Sequence, residues 1–231
     1  GTRIGVIDGE NDPTLVEQLV KNSEVVGDVS VGFETLNPEN KSDAEIRSYL
    51  LENDIGMMLL PPKPISWLAR WGFRTSKIMN LMFKSQIPFW VHNKTNTIKK
   101  VLVCIRNPKA MNVIGAVAMD VTRQFDGELT LLNVIPPNID QEERRTIEQI
   151  PAELQHMALS HGLTLEKHQV EGNPIREIIK HVKDFDLLII GYSEHPRSTI
   201  ANPDISLHLF HEIRTCPSTS ILFVPWQTAG R

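Results

Sequence analysis

The stretch "NPIREIIKHVKDFDLLIIG", residues 173–191, decides the fold. Its first part reads as a short helix, with Asn173 as the capping side chain and Pro174 at the first helical position, where a missing N–H is no loss. Its second part, "FDLLIIG", is apolar on both faces, as expected of a strand at the centre of a parallel sheet. A helix running straight into a doubly buried strand is half of a βαβ unit.

Upstream the alternation continues. "KKVLVCIR" (99–106) is a β-branched strand, and "AMNVIGAVAMDVTRQFDG" (110–127) a helix that Gly127 is expected to stop. "ELTLLNVIPP" (128–137) is a second strand, ended by two prolines. "DQEERRTIEQIPAELQHMALSHG" (140–162) is a long helix starting near Asp140 and expected to be interrupted or kinked around Pro151. "LTLEKHQVEG" (163–172) is a third strand. Downstream, the polar loop "GYSEHPRSTIANPDIS" (191–206) precedes a helix from about Ile205 to Arg214 and a closing strand, "STSILFVP" (218–225). Such alternation predicts a doubly wound α/β sheet with ligands beyond the carboxyl ends of its strands.

The first half reads as a shorter copy of this plan. "TRIGVIDG" parallels "KKVLVCIRN", "SDAEIRSYLLEND" parallels "NPIREIIKHVKD", "IGMMLLPP" parallels "DLLIIG", and "IPFWVHN" parallels the closing strand. "NDPTLVEQLVKN" adds a helix, "DVSVGFETL" a strand, and "TSKIMNLMFKSQ" the helix before the last strand. A strand and a helix between residues 23 and 37 are lost or shortened. The expected organisation is two Rossmann-like α/β domains, 1–95 and 96–231, with mainly parallel five-stranded sheets, the first one reduced. "NKTNTIKK" (93–100) is the linker.

Composition narrows the function. With 231 residues, a formal charge of −4 and a pI near 6.1, the chain lacks the basic balance of a nucleic-acid binder. Its cysteines, Cys104 and Cys216, each stand beside a strand and suit a reducing compartment, so a cytoplasmic location is the default. No apolar stretch approaches the ~20 residues that span a bilayer, and "GTRIGVIDGEN" is no secretory signal. The chain begins without Met, which is compatible with a piece of something longer.

Residues 99–226 resemble the universal stress protein family. The resemblance rests on "KKVLVCIRNP", "GELTLLNVIPP", "VEGNPIREIIKHVKDFDLLIIG" and "TCPSTSILFVP" in the family's order. Residues 2–92 resemble a degenerate second copy, which makes the whole a tandem member. The fold this implies is the adenine-nucleotide alpha-hydrolase-like one. Family members that bind ATP carry an aspartate ending the first strand, and after the fourth a loop of glycine, two residues, glycine, nine residues, then glycine with serine or threonine. The glycines let backbone N–H groups approach phosphate oxygens.

Here Gly191 matches the first glycine, but Glu194, Asp204 and Ile205 occupy the next motif positions, and Ser206 restores the hydroxyl only with a one-residue shift. Arg106 replaces the aspartate. Each carboxylate facing a phosphate would repel it by ~4 kcal/mol per unit charge at ~4 Å and an effective dielectric of ~20. Arg197 and Arg106 offset part of that. The resemblance thus implies a degenerate nucleotide pocket of Gly191, Arg197, Ser206, Arg106 and Val134. In the first copy Asp8 and Gly9 remain, but the corresponding loop has Gly72 alone and the donor-less Pro61, Pro62 and Pro64.

The remaining constellations carry less. Lys63, Arg70, Arg74, Lys77 and Lys84 accompany tryptophans between residues 61 and 92 without an acidic residue; membrane contact is open to the chain only through Trp67, Arg70 and Trp71, and packing of the reduced copy is the plainer reading. His195, His208, His211, Glu212 and Cys216 lack the repeated spacing of a zinc site, and no metal is expected. No serine elbow or Walker loop is present.

The expectation is a non-enzymatic stress-response or regulatory protein that acts through an unknown protein partner, without ATP held in the family's usual manner and without another cofactor. Its two closing strands would pair with each other inside the chain, since unpaired apolar edges invite aggregation; a homodimer is also open to it. One alternative is ATP or AMP binding by a rearranged loop, and another is the cytosolic regulatory part of a membrane transporter.

Overall fold

In the computed structural model, which describes residues 3–7, 32–36, 42–60, 85–91, 98–192 and 219–226, the chain divides into two units, Gly1–His92 and Asn93–Arg231. The first contains, among its described residues, β1 (Arg3–Ile7), β2 (Gly32–Leu36), α1 (Asp43–Glu52), β3 (Ile55–Leu60) and β4 (Phe89–Val91). The strands lie in the order β2-β1-β3-β4, all parallel. Helix α1 starts on a capping box: the Ser42 hydroxyl accepts from the Glu45 N–H at 3.3 Å, and the Glu45 carboxylate accepts from the Ser42 N–H at 2.6 Å. Ile46 and Leu50 from α1 are buried, as are Met58, Leu59 and Phe89 on the strands.

The second unit contains β5 (Lys100–Cys104), α2 (Pro108–Gln124), β6 (Glu128–Ile135), α3 (Gln141–Ser160), β7 (Leu165–Glu171), α4 (Pro174–Val182), β8 (Leu187–Tyr192) and β9 (Ser220–Pro225). Its strands are ordered β9-β8-β5-β6-β7 and are parallel throughout. The α/β fold with mainly parallel sheets is as the sequence implies. Within their own sheets, β2-β1-β3-β4 run in the same sequence order as β6-β5-β8-β9, so the described part of the first sheet has no counterpart of β7.

Side-chain alternation assigns the helices to faces. Gly191 on β8 faces Ile114 of α2, and Asn133 on β6 donates to the Ile147 carbonyl of α3, so α2 and α3 cover one face. His168 on β7 meets His181 of α4 edge to face, which puts α4 on the other. Leu102, Leu188 and Ile189 at the centre are fully buried because both faces are covered. At the opposite end of these strands Asp186 clamps β5 to β8: its carboxylate accepts from the Lys99 and Lys100 N–H groups at 2.9 and 2.8 Å, and its own N–H donates to the Lys100 carbonyl.

Two helices depart from expectation, one at its end and one in its interior. Gly127 does not take the left-handed position after α2; Asp126 does, at φ 49°. The Gly127 N–H closes the terminus on the Thr122 carbonyl, and a Cβ on Gly127 would stand 2.9 Å from the Lys99 carbonyl oxygen. Gly127 is therefore needed for close approach to β5, while the Lys99 ammonium holds the strained turn by donating to the Phe125 and Asp126 carbonyls. Nor does Pro151 interrupt α3, which runs through it as one helix of 20 residues.

These placements fix opposite outcomes for neighbouring residues. Asp126→Gly relieves a left-handed non-glycine and should raise stability by up to ~1 kcal/mol, whereas Gly127→Ala forces backbone apart and should lower it by about 1–3 kcal/mol. Urea unfolding of the two variants checks this; a loss only in Asp126→Gly would reverse the assignment.

Candidate functional site

In the second unit the crossover from β5 leads to β6 on one side and that from β8 leads to β9 on the other. The crevice of such a sheet lies outside the carboxyl ends of the two strands where the winding reverses, here β5 and β8. The residues there are Cys104 to Asn107 on one side and Gly191 and Tyr192 on the other.

Arg106 projects from the end of β5 at the position where the resemblance calls for aspartate. Its Nη2 donates to Glu143 Oε1 at 2.7 Å, with both side chains part-exposed. Glu143 is held there by helix geometry: Asp140 caps α3 by accepting from the Glu143 N–H at 2.7 Å, which puts the Glu143 carboxylate in the first turn, where the helix dipole favours it. One residue on, Arg144 pairs with Glu171 at the end of β7 and reaches Glu148 at 3.8 Å. Hydrogen bonding and charge from Glu171 raise the Arg144 pKa further above its already high ordinary value. The first turn of α3 is thus tied by ion pairs to the ends of β5 and β7. Asn107 caps α2 by accepting from the Lys109 N–H at 2.9 Å.

Gly191 has a steric reason to be glycine. A Cβ there would lie 2.2 Å from Ile114 Cδ1 and 2.9 Å from Trp226 Cδ1. Ile114 is buried on the inner side of α2, and Trp226 follows β9 with its N–H donated to the Tyr192 carbonyl at 2.9 Å. On this face the space beside the Gly191 backbone is filled by protein. Val134 is also buried, but it alternates with Asn133 and so turns to the α4 face, opposite that of Gly191. Cys104 and Tyr192 share that second face, where burial pushes the thiol and the phenol well above their ordinary pKa values and keeps both neutral. A neutral thiol is a poor nucleophile, in keeping with a packing role.

Of the residues implied by the resemblance, the structure therefore brings Arg106 and Gly191 to one crevice and places Val134 on the other face. Arg197 and Ser206, with Glu194, Asp204 and Ile205, lie outside the described residues. So do Asp8, Gly72, the basic and aromatic stretch with Trp67, Arg70 and Trp71, and His195, His208, His211, Glu212 and Cys216. Among the described residues no group of histidine, cysteine, aspartate and glutamate could hold a metal ion, and no helix is long and apolar enough to cross a membrane. Sequence reasoning missed Glu143, Ile114 and Trp226. The signal for Glu143 was its place three residues after the Asp140 cap; Ile114 and Trp226 gave none, because their contact depends on how α2 and β9 meet over β8.

Comparison with known proteins agrees with this architecture. Residues 97–201 match the family model of the universal stress protein family. A universal stress protein from Archaeoglobus fulgidus superposes with a TM-score of 0.60 at 14% identity, covering 97% of this chain and 86% of its own. A candidate universal stress protein from Pseudomonas aeruginosa gives 0.63 at 12% identity, with 96% and 81% covered. A functionally unknown protein from the same species gives 0.60 at 13%, with 96% and 80% covered. These identities speak for the fold alone, and no curated protein sequence matches. Residues 97–201, which hold β5 to β8 and the helices between them, form a domain of the universal stress protein family.

Proposed function

We propose that this chain is a regulatory universal stress protein that acts by engaging a protein partner and does not hold ATP in the family's usual manner. The observation that carries the reading is the Arg106–Glu143 pair at the end of β5. A guanidinium has donors and no acceptor, so it cannot do what an aspartate does toward the hydroxyls of a nucleoside. Its charge is met from within the chain, which leaves less of it for a phosphate. The packing of Ile114 and Trp226 beside Gly191 adds to this, because it accounts for the glycine without a ligand.

Calorimetric titration with ATP, AMP and cyclic AMP tests the proposal. No saturable heat is expected at millimolar ligand. A dissociation constant in the micromolar range would overturn it and favour the second reading, a nucleotide held by a rearranged loop around Gly191, Arg197 and Ser206.

The first unit fits the same proposal as a reduced copy, and the matching sequence order of the two sets of strands supports this. Each copy ends in an apolar strand, "FWV" and "SILFVP". Pairing of these strands inside the chain would remove two exposed edges at once. The Ser220 N–H donates to the Asp186 carbonyl just before β8 and the Trp226 N–H to the Tyr192 carbonyl at its end, so by alternation those of Ile221 and Phe223 point to the opposite side of β9. If the strands pair, the Ile221 and Phe223 amides should exchange with solvent as slowly as the Leu222 amide. Exchange faster by more than about a hundredfold would contradict the pairing.

A further inference from the structure

We infer that Asn133 is the backbone-donor substitute for Pro151, a side-chain pin that stabilises the turns of α3 just before its proline. Proline has no N–H and its ring crowds the carbonyl four residues earlier, so Pro151 leaves the Ile147 carbonyl without its helical donor. Ile147 is 1% exposed, and water has no ready access to that oxygen. Asn133, on the facing strand β6, donates from Nδ2 to the Ile147 carbonyl at 3.0 Å. An amide from another element thus replaces the bond that the helix cannot make, and α3 continues unbroken to Ser160.

The local cost shows which bond matters. Asn133 is itself 1% exposed, and its Oδ1 has no hydrogen-bond partner. Leaving a polar atom dry and unpaired is unfavourable, and an apolar residue at this sheet position would avoid it. The orientation of the amide is set by the acceptor, because only its NH2 group can serve a carbonyl.

The consequence falls on the turns around Ile147. On the N-terminal side of Pro151, Glu143 pairs with Arg106 and Arg144 with Glu171, both at strand ends. On the C-terminal side, Leu154 and Met157 pack against Gly115 of α2: a Cβ on Gly115 would come within 2.7 Å of Leu154 Cδ1 and 3.4 Å of Met157 Cε. Both halves bury apolar side chains, Ile147 and Ile150 before Pro151 and Leu154 and Ala158 after it, and the first turn adds part-exposed ion pairs, each weak on its own. Release of the pin leaves the buried Ile147 carbonyl unpaired and weakens the turns just before Pro151, next to the ion-paired first turn at the ends of β5 and β7. The inference is independent of whether a nucleotide binds.

Hydrogen exchange of the full chain, compared among wild type, Asn133→Leu, Pro151→Ala and the double variant, tests it. In Asn133→Leu the amides of 145–150 should exchange about tenfold faster or more relative to those of 155–160. In Pro151→Ala the new N–H serves Ile147, so adding Asn133→Leu should change that ratio by less than about twofold. Equal acceleration in both halves, no acceleration, or the same effect of Asn133→Leu in both backgrounds would overturn the inference. Should Asn133→Leu alone not fold, a folded double variant supports the pin and an unfolded one contradicts it.

Discussion

Everything in the second unit depends on the burial of β5 and β8 on both faces. Leu102, Leu188 and Ile189 have no solvent on either side of the sheet, so helices must cover both, and the crossovers that bring them there determine where the winding reverses. Once that is so, the strand ends are the part of the sheet free to carry chemistry. Asp186 holds the amino ends of β5 and β8 in register with two hydrogen bonds to one carboxylate oxygen, which leaves the carboxyl ends to Arg106 and Gly191.

At those ends the chain bonds to itself. The guanidinium that replaces an aspartate has a carboxylate of its own, and the glycine that would admit a phosphate admits an isoleucine and a tryptophan. The two substitutions have different physical characters. The Arg106–Glu143 pair is part-exposed and contributes about 1 kcal/mol or less, so it sets the polarity of the crevice more than its stability. The contact at Gly191 is close packing, where one added carbon has nowhere to go.

Much of the fold was legible because its signals are local. Asn107, Asp140 and Asn173 all cap the helices they precede, and the apolar run of β8 declared its central position. What was not legible depends on three-dimensional closeness. Gly127 looked like a helix stop from its place in the chain, yet its role comes from the Lys99 carbonyl across the turn, and the strained position passed to Asp126 because a lysine was there to hold it. Pro151 looked like a break because its rescue comes from the sheet beneath the helix, through Asn133, fourteen residues before the Ile147 whose carbonyl it serves. For the site, the sequence showed that Arg106 was the wrong residue for an adenosine contact; it could not show that Glu143 meets it.

Position 191 needs glycine because Ile114 of α2 and Trp226 pack against β8 there. A double-mutant cycle between Gly191 and Ile114 tests that packing most directly, with unfolding free energy in urea as the readout. Gly191→Ala should lower stability by about 1–3 kcal/mol, and Ile114→Val, which removes the Cδ1 atom facing the added methyl, should recover a large part of that loss in the double variant. Full additivity of the two substitutions, or a Gly191→Ala protein as stable as the wild type, would contradict it.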